Sequence, residues 1–199
     1  MIFGYLFPNN EIYSLKFEHK GKFEIEKDEK IILKAKNIEI NIAKYGWGNY
    51  FSLDDALDKG IGNMIKTNKR LIYQREIDPL SKNRFWDFAP YALIEIWKAK
   101  KYKEKGMKEY FEVYYDEIIG FDEFKIPLFS GLEIYICNLK NYKGIPIKNY
   151  YSITFRKRYK IIDDPLILKK ELTKTEIKEM KREEKEYIEY IKNLDLDNI

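Results

Sequence analysis

Residues 31–42, IILKAKNIEINI, decide the fold, because apolar and polar side chains alternate along most of this stretch. A period of two is typical of a β-strand that has one face against a hydrophobic core and the other in water. The stretch therefore predicts a strand. Its apolar positions on this pattern are Ile31, Leu33, Ala35, Ile38, Ile40 and Ile42.

The residues before this strand repeat the pattern. Alternation over 13–18 and over 23–26 predicts two more strands, with a turn at 19–21 between them. His19 lies in this polar turn and is expected to be a surface histidine. Connections this short join antiparallel neighbours, so residues 1–45 are predicted to form a β-meander.

Two helices are predicted after the meander. Ser52–Asp55 fits a capping box, and a helix that starts there would end at Gly60. A second helix near 90–105 begins at Pro90, because the first turn of a helix tolerates the missing N–H of proline. Its first half is apolar almost all round and should be buried. Five lysines before Gly106 complement the negative end of its dipole.

Strands return after this helix, at 108–118, 131–139 and 147–162. A C-terminal helical region follows, where Thr173 and Glu176 form a second capping box. Segments in the order β-rich, helical, β-rich, helical predict an α+β fold rather than a doubly wound parallel sheet. The expected architecture is antiparallel sheet, in one or more sheets, with one internal helix and a C-terminal helical region.

The length of 199 residues predicts a single α+β domain over 1–164, with 165–199 as a helical segment packed on it. In the C-terminal helix, apolar side chains recur at alternating spacings of three and four residues, interrupted by Glu184. This seam should pack on the protein's own sheet, and the alternative is a helix of a partner or of a second copy. The seam consists of Ile177, Met180, Tyr187, Ile191 and Leu194.

Composition limits the classes of function. Hydrophobic residues make up 45% of the chain and charged residues 35%, which provides enough apolar side chains for a core. The single cysteine excludes a disulfide framework within the chain, and the single histidine excludes a Cys₂His₂ zinc site. We predict no cofactor and no metal. Without a targeting segment or an apolar run near the roughly 20 residues of a membrane span, we expect a cytoplasmic protein that has no membrane partner.

One stretch concentrates positive charge. Lys140–Lys160 contains seven cations and no acid, whereas the whole chain carries +4 and the other 178 residues −3. If 151–161 is one strand, its odd positions are mostly apolar, and its even positions expose Arg156, Arg158 and Lys160 about 6.6 Å apart. Cations at this spacing, beside interleaved tyrosines, can pair with phosphates while the rings stack on bases.

This stretch predicts a site for nucleic acid or another polyanion. It is also typical of a basic edge strand, where lysines prevent pairing with other chains. An acidic protein surface is the other partner that such a charge would fit. The predicted contact residues are Lys148, Tyr150, Arg156, Arg158 and Lys160.

A Glu-x-Lys step at Glu123 and Lys125 offers a catalytic alternative. In metal-dependent nucleases of the PD-(D/E)xK type, such a step supplies a Mg²⁺ ligand and a lysine, and an earlier aspartate completes the metal site. Asp116 would be that aspartate, although it is close in sequence to the step. Gly120 and Pro127 leave little room for a strand, so a charged β-turn is the favoured structure.

Residues 45–50 form an aromatic loop that contains Trp47 and Tyr50. Glycines on both sides of Trp47 let the backbone turn tightly. The tryptophan either folds back into the core or, with Tyr50, contacts a ligand or a partner.

The sequence therefore predicts a non-enzymatic binding protein that acts through a basic and aromatic surface on nucleic acid or on a nucleoprotein complex. An accessory protein or a phage-type inhibitor would have these properties. A metal-dependent nuclease is the first alternative. The second is a protein-only interaction or immunity module that docks by its C-terminal helix.

Overall fold

A computed structural model describes residues 18–44, 56–77, 90–126, 129–142 and 145–193. In this part of the chain, antiparallel sheet dominates and two helices accompany it. The predicted α+β class agrees with this. The strands are β1 (Glu18–Lys20), β2 (Ile31–Lys44), β3 (Ala56–Thr67), β4 (Arg70–Glu76), β5 (Lys108–Tyr114), β6 (Ile118–Ile126), β7 (Phe129–Tyr142) and β8 (Ile145–Phe155), and the helices are α1 (Pro90–Glu104) and α2 (Lys174–Asn193).

The strands follow the order β1-β5-β4-β3-β2-β8-β7-β6. Packing divides the chain into two compact units. The first contains β1, β4, β5 and α1, with β2 up to Ile38 and β3 from Gly60 onward. The second contains β6, β7, β8 and α2, with the remaining residues of β2 and β3. The predicted boundary between residues 164 and 165 stays a prediction.

The N-terminal part of the first unit differs from the predicted meander. β1 occupies the position of the predicted turn at 19–21, and it pairs with β5 instead of with 23–26. Residues 23–26 do not form a strand. Phe23 instead packs against a buried cluster. This packing outweighs the alternation of apolar and polar residues that predicted a strand at 23–26. The cluster consists of Ile65, Ile72 and Tyr110.

The helix predicted to end at Gly60 is wrong, because this glycine lies within β3. A Cβ on Gly62 would lie 2.5 Å from the carbonyl oxygen of Gln74 and 2.7 Å from Cζ of Tyr73. The neighbouring strand β4 thus requires a glycine at position 62, two residues after the predicted helix end. The predicted capping residues 52–55 lie outside the described residues.

α1 lies where the sequence predicts the internal helix. It ends in a Schellman motif, in which Gly106 has a left-handed φ of +68° and donates its N–H to the oxygen of Lys103 at 2.9 Å. The N–H of Met107 donates to the oxygen of Tyr102 at 3.1 Å. Trp97 contradicts the expectation of a buried first half, because it is 62% exposed.

His19 is not the isolated surface histidine that the sequence predicts. Its ring stacks on Tyr102 with 4.6 Å between the centroids. Its Nε2 lies 3.3 Å from Oε1 of the buried Glu109, and Arg75 donates to the other oxygen of that carboxylate at 2.6 Å. The pairing of β1 with β5 produces this arrangement, which the predicted turn could not provide.

In the second unit, β8 lies between β2 and β7. Ile153 stands opposite Ile42 on one side and Ile134 on the other. Residues 151–155 are all buried, so both faces of this part of the strand are covered. The interpretation of this stretch as a basic edge strand is therefore wrong.

β6 replaces the predicted charged turn, and its free edge is covered. Phe121 donates its N–H to the oxygen of Lys170 at 2.8 Å, and its own oxygen accepts the N–H of Leu172 at 2.7 Å. A Cβ on Gly120 would lie 2.6 Å from that Lys170 oxygen. The glycine that argued against a strand is thus the residue that lets this segment approach β6.

α2 begins at the predicted capping box, which is confirmed. Glu176 donates its N–H to Oγ1 of Thr173 at 3.2 Å, and Thr173 donates its N–H to Oε2 of Glu176 at 2.8 Å. Ile177 and Met180 of the seam pack against Tyr135 of β7. The remaining seam positions lie outside the described side chains, and they are Glu184, Tyr187, Ile191 and Leu194.

Candidate functional site

Strand β8 ends at Phe155, so the predicted row of cations on one strand face is wrong. The chain bends after this residue and enters a short 3-10 helix, Lys160–Ile162, in which Ile161 and Ile162 are buried. Burying these two side chains turns the chain away from the strand axis. The cations predicted on alternating strand positions lie in and after this bend, all exposed, and they are Arg156, Arg158 and Lys160.

Two acids from distant positions, Glu39 and Glu123, and the nearby Asp163 meet the two arginines of the bend. Nε of Arg156 lies 3.0 Å from Oε1 of Glu39 on β2. Arg158 donates to Glu123 at 2.8 Å and to Asp163 at 2.9 Å. Ion pairs as exposed as these contribute about 0–1 kcal/mol each. They therefore orient the guanidinium groups without holding them tightly.

Tyr159 anchors the bend. Its hydroxyl accepts the N–H of Glu39 at 3.1 Å, and its ring meets Phe155 edge-on at 6.3 Å between centroids. Nζ of Lys157 lies 5.2 Å above the same ring. Within the described residues, Lys157 and Lys160 form no ion pair with an acid. We term residues 156–160 the basic turn.

Two of the predicted contact residues lie away from the basic turn. Lys148 is exposed on β8, eight residues before Arg156, which is about 26 Å along an extended strand. Tyr150 is partly buried and packs against Tyr135 and Leu172. The structure therefore groups Arg156, Arg158 and Lys160, joined by Lys157, but leaves Lys148 and Tyr150 apart from them.

Of the residues of the nuclease alternative, Asp116 and Glu123 are well separated along the chain path. Asp116 lies in the 3-10 helix that precedes β6, whereas Glu123 is five residues into that strand, about 16 Å from Ile118. Glu123 pairs with Arg158, and the side chain of Lys125 lies outside those described. Among the described side chains, no group of three His, Cys, Asp or Glu residues has the arrangement to hold a metal ion.

Trp47 and Tyr50, the predicted contact loop, lie outside the described residues. Their role as a core plug or as a contact stays a prediction.

The structure reveals a polar row that the sequence did not indicate. Asn41, Thr154, Glu133 and Asp122 stand side by side across β2, β8, β7 and β6. The first three are buried, and burial raises the pKa of Asp122. Glu133 accepts a hydrogen bond from the hydroxyl of Tyr135 at 3.1 Å. This adjacency depends on the strand order, which no local sequence pattern specifies.

The polar row contains oxygen atoms that could accept further hydrogen bonds. Within the described part of the chain, Oδ1 of Asn41 and Oγ1 of Thr154 have no hydrogen-bond partner. Such buried oxygen atoms are commonly satisfied by ordered water. The row offers oxygen acceptors beneath the surface, and it does not add to the exposed cations of the basic turn.

No protein-family model matches this chain, and neither a curated protein nor a solved structure shows significant similarity to it. Within the described residues, neither α1 nor α2 has the length and apolar content that crossing a membrane requires.

Proposed function

We propose that this chain is a non-enzymatic binding protein, and that it acts through the basic turn on nucleic acid or on a nucleoprotein complex. One observation carries the proposal: four of the five residues in the basic turn are cations, and all four are exposed. The fifth, Tyr159, is fixed by its hydrogen bond to Glu39 and its contact with Phe155. The turn therefore presents its charges from a defined position.

The chemistry of the four cations suits phosphate groups. An arginine side chain can donate two parallel hydrogen bonds to a phosphate, and a lysine contributes a compact point charge. A phosphate can replace the carboxylates of Glu123 and Asp163 around Arg158, because exposed ion pairs of this kind are weak. In the free protein, Glu123 and Asp163 orient the guanidinium group of Arg158, which is exposed to solvent.

The same acids make the proposed contact modest in strength. Glu39, Glu123 and Asp163 reduce the local positive potential and must be outcompeted by phosphates. Binding through phosphates releases counterions and carries no direct sequence information. We therefore expect a salt-sensitive interaction with little preference among base sequences.

Fluorescence anisotropy with a labelled 20-nucleotide strand, and with a duplex of the same length, tests the proposal. The variant Lys157→Gln/Lys160→Gln removes two cations that have no ion pair within the described residues. The slope of log affinity against log salt should become shallower by about 0.7 per lost contact for the single strand, and by about 0.9 for the duplex. Thermal melting verifies that the variant remains folded.

The matched control is Lys178→Gln/Arg182→Gln, which removes two exposed cations from α2. It should leave affinity within about twofold of wild type. If both double variants weakened oligonucleotide binding equally, a site at the basic turn would be contradicted. The same would hold if neither variant weakened binding. Binding to an acidic peptide but to neither oligonucleotide would favour a protein partner and contradict the proposal. Mg²⁺-dependent cleavage that Glu123→Gln abolishes would contradict a non-enzymatic function.

A further inference from the structure

The C-terminal half of α1 presents an exposed aromatic ring among lysines. At 3.6 residues per turn, Trp97 and Lys101 follow one line along the helix, with Lys98 beside it, and Lys105 directly follows the last helical residue. All four side chains are exposed, and Nζ of Lys101 lies 5.1 Å from the centroid of the Trp97 ring. Ala99, on the opposite side of the helix, is buried. We term Trp97, Lys98, Lys101 and Lys105 the α1 face.

The α1 face belongs to a helix that is held in place. Tyr102 stacks on His19 of β1, which fixes the packed side of α1 in the first unit. The Schellman motif at Gly106 fixes its C-terminal end. The ring and the lysines are therefore offered to solvent from a rigid element.

The helix dipole accounts for only part of this charge. Dipole stabilisation by cations falls off beyond the last helical turn, and that turn contains Lys101 and Lys103. Lys98 and Lys100 lie before it. Glu104 is the one acid in 97–105. Within the described residues, the lysines that form no ion pair are Lys100, Lys101, Lys103 and Lys105.

We propose that the α1 face is a second nucleic-acid contact and that its ligand is single-stranded nucleic acid. A base would stack on the ring of Trp97, and the lysines would pair with the phosphates on either side, as in sites where aromatic rings and cations alternate. The proposal rests on the proposed function for the class of ligand, but it uses different residues in the other compact unit.

The residues around Trp97 favour a single strand over other polyanions. A duplex hides the faces of its bases, so it would leave the ring without a stacking partner. A membrane-binding helix needs an apolar stripe to insert between lipids. From Trp97 toward the C-terminal end of α1, the described positions on this line are lysines, Lys101 and then Lys105, and they form no apolar stripe.

Two variants separate the ring from the charges. Trp97→Leu keeps an apolar side chain but removes the stacking surface, and Lys101→Gln/Lys105→Gln removes two charges. The probe is a labelled 12-nucleotide oligothymidine, with a 12-base-pair duplex for comparison. Trp97→Leu should weaken binding of the single strand about tenfold and binding of the duplex less than twofold. The lysine variant should reduce the salt slope by about 0.7 per lost contact.

The control Lys178→Gln/Arg182→Gln should leave both probes unaffected. Unchanged oligothymidine binding in Trp97→Leu would overturn the inference. So would binding to phosphatidylserine vesicles in the absence of oligothymidine binding. Trp97→Phe should retain part of the affinity, which distinguishes loss of stacking from a folding defect.

These results are separable from a failure of the proposed function. If Lys157→Gln/Lys160→Gln binds normally while the α1 variants lose affinity, the site at the basic turn is wrong and the inference stands. If only the basic-turn variant loses affinity, the inference is wrong and the proposed function stands.

Discussion

Arg70 is a buried cation that ties a loop to two strands of the first unit. It is 4% exposed. Its Nε and Nη2 donate to the two oxygens of Glu29 at 2.9 and 2.8 Å, and Nη1 donates to Glu112 of β5. Nη2 also donates to the backbone oxygen of Glu24 at 2.7 Å. The guanidinium thus substitutes for the strand pairing that the sequence predicted for 23–26.

Replacing Arg70 by methionine should destabilise the protein strongly. The variant leaves the buried carboxylate of Glu29 without its cation, and breaking one half of a buried ion pair costs about 3–5 kcal/mol. Urea denaturation measures the free energy of unfolding. The control Arg182→Met removes an exposed pair with Glu186 on α2 and should cost less than about 1 kcal/mol. Equal effects of the two substitutions would contradict the importance of the buried network.

The stability of the protein should fall in acid because of Glu29. Burial would raise the pKa of this carboxyl, but the hydrogen bonds from Arg70 and from the N–H of Glu26 outweigh burial and lower its pKa from 4.5 to about 2. Its contribution is complete above pH 4.5 and is lost as the pH falls through about 2.

Unfolding free energies measured between pH 7 and pH 2 test this. Glu29→Gln should be less stable than wild type at pH 7 and should lose less further stability below pH 4.5 than wild type does. A variant with the same acid dependence as wild type would show that other groups cause the loss.

For individual residues, hydrogen bonds between near neighbours could be predicted from the sequence, and those between distant residues could not. The capping box of Thr173 and Glu176 could be predicted because its partners are three residues apart. The ion pair of Arg70 with Glu29 could not be predicted, because the two residues are 41 positions apart in the sequence. The same holds for Arg158 and Glu123, whose contact depends on the order of β8, β7 and β6.

Among the elements, β6 shows how a glycine can support a strand. Gly120 stands beside the segment that covers the edge of β6, and a methyl group there would meet the Lys170 oxygen at 2.6 Å and Cγ of Leu172 at 2.8 Å. Backbone atoms cannot move aside as a flexible side chain can. A covered edge also protects β6 from pairing with another chain.

Gly120→Ala should therefore weaken the attachment of this segment, with a loss of about 1–3 kcal/mol in the free energy of unfolding. Hydrogen exchange at the amide of Leu172 should accelerate, because that amide donates to Phe121. The control is Gly21→Ala, where an added Cβ meets no atom within 4 Å. If Gly120→Ala is as stable as the control, the close approach at β6 is not required.

The alternation of apolar and polar residues predicted the strand at 31–42. It did not explain why the apolar positions change from odd to even numbers within the strand. The apolar positions shift from odd to even numbers after Ala35, and Asn37 has a left-handed φ of +56° there. After this irregularity Ile38, Ile40 and Ile42 are buried, whereas before it Leu33 and Ala35 are half-buried and Ile31 is exposed. The predicted helix end at Gly60 is wrong because that glycine lies within β3. The predicted strand 147–162 is too long, because β8 ends at Phe155 and a 3-10 helix buries Ile161 and Ile162.

For the whole molecule, charge counted along the sequence differs from charge arranged in the fold. Lys140–Lys160 carries +7 in the sequence, but Glu39 and Glu123 from other strands, and Asp163 just after the stretch, meet its arginines. Lys148 lies too far along β8 to join them. The sequence could identify a cationic stretch, which it predicted as a strand, but it could not show the contacts with Glu39 and Glu123 or the exposed ring of the α1 face.

The salt dependence of nucleic-acid binding by the wild-type protein measures how many of its cations contact phosphates. Affinity for a labelled 20-nucleotide single strand should be measured by anisotropy from 50 to 300 mM salt. If three or four cations of the basic turn contact phosphates, log affinity falls linearly with log salt with a slope of about −2 to −3, and lysines of the α1 face on the same strand make it steeper. A slope near zero, or no binding at about 50 mM salt, would contradict the claim that this protein acts on nucleic acid through the basic turn.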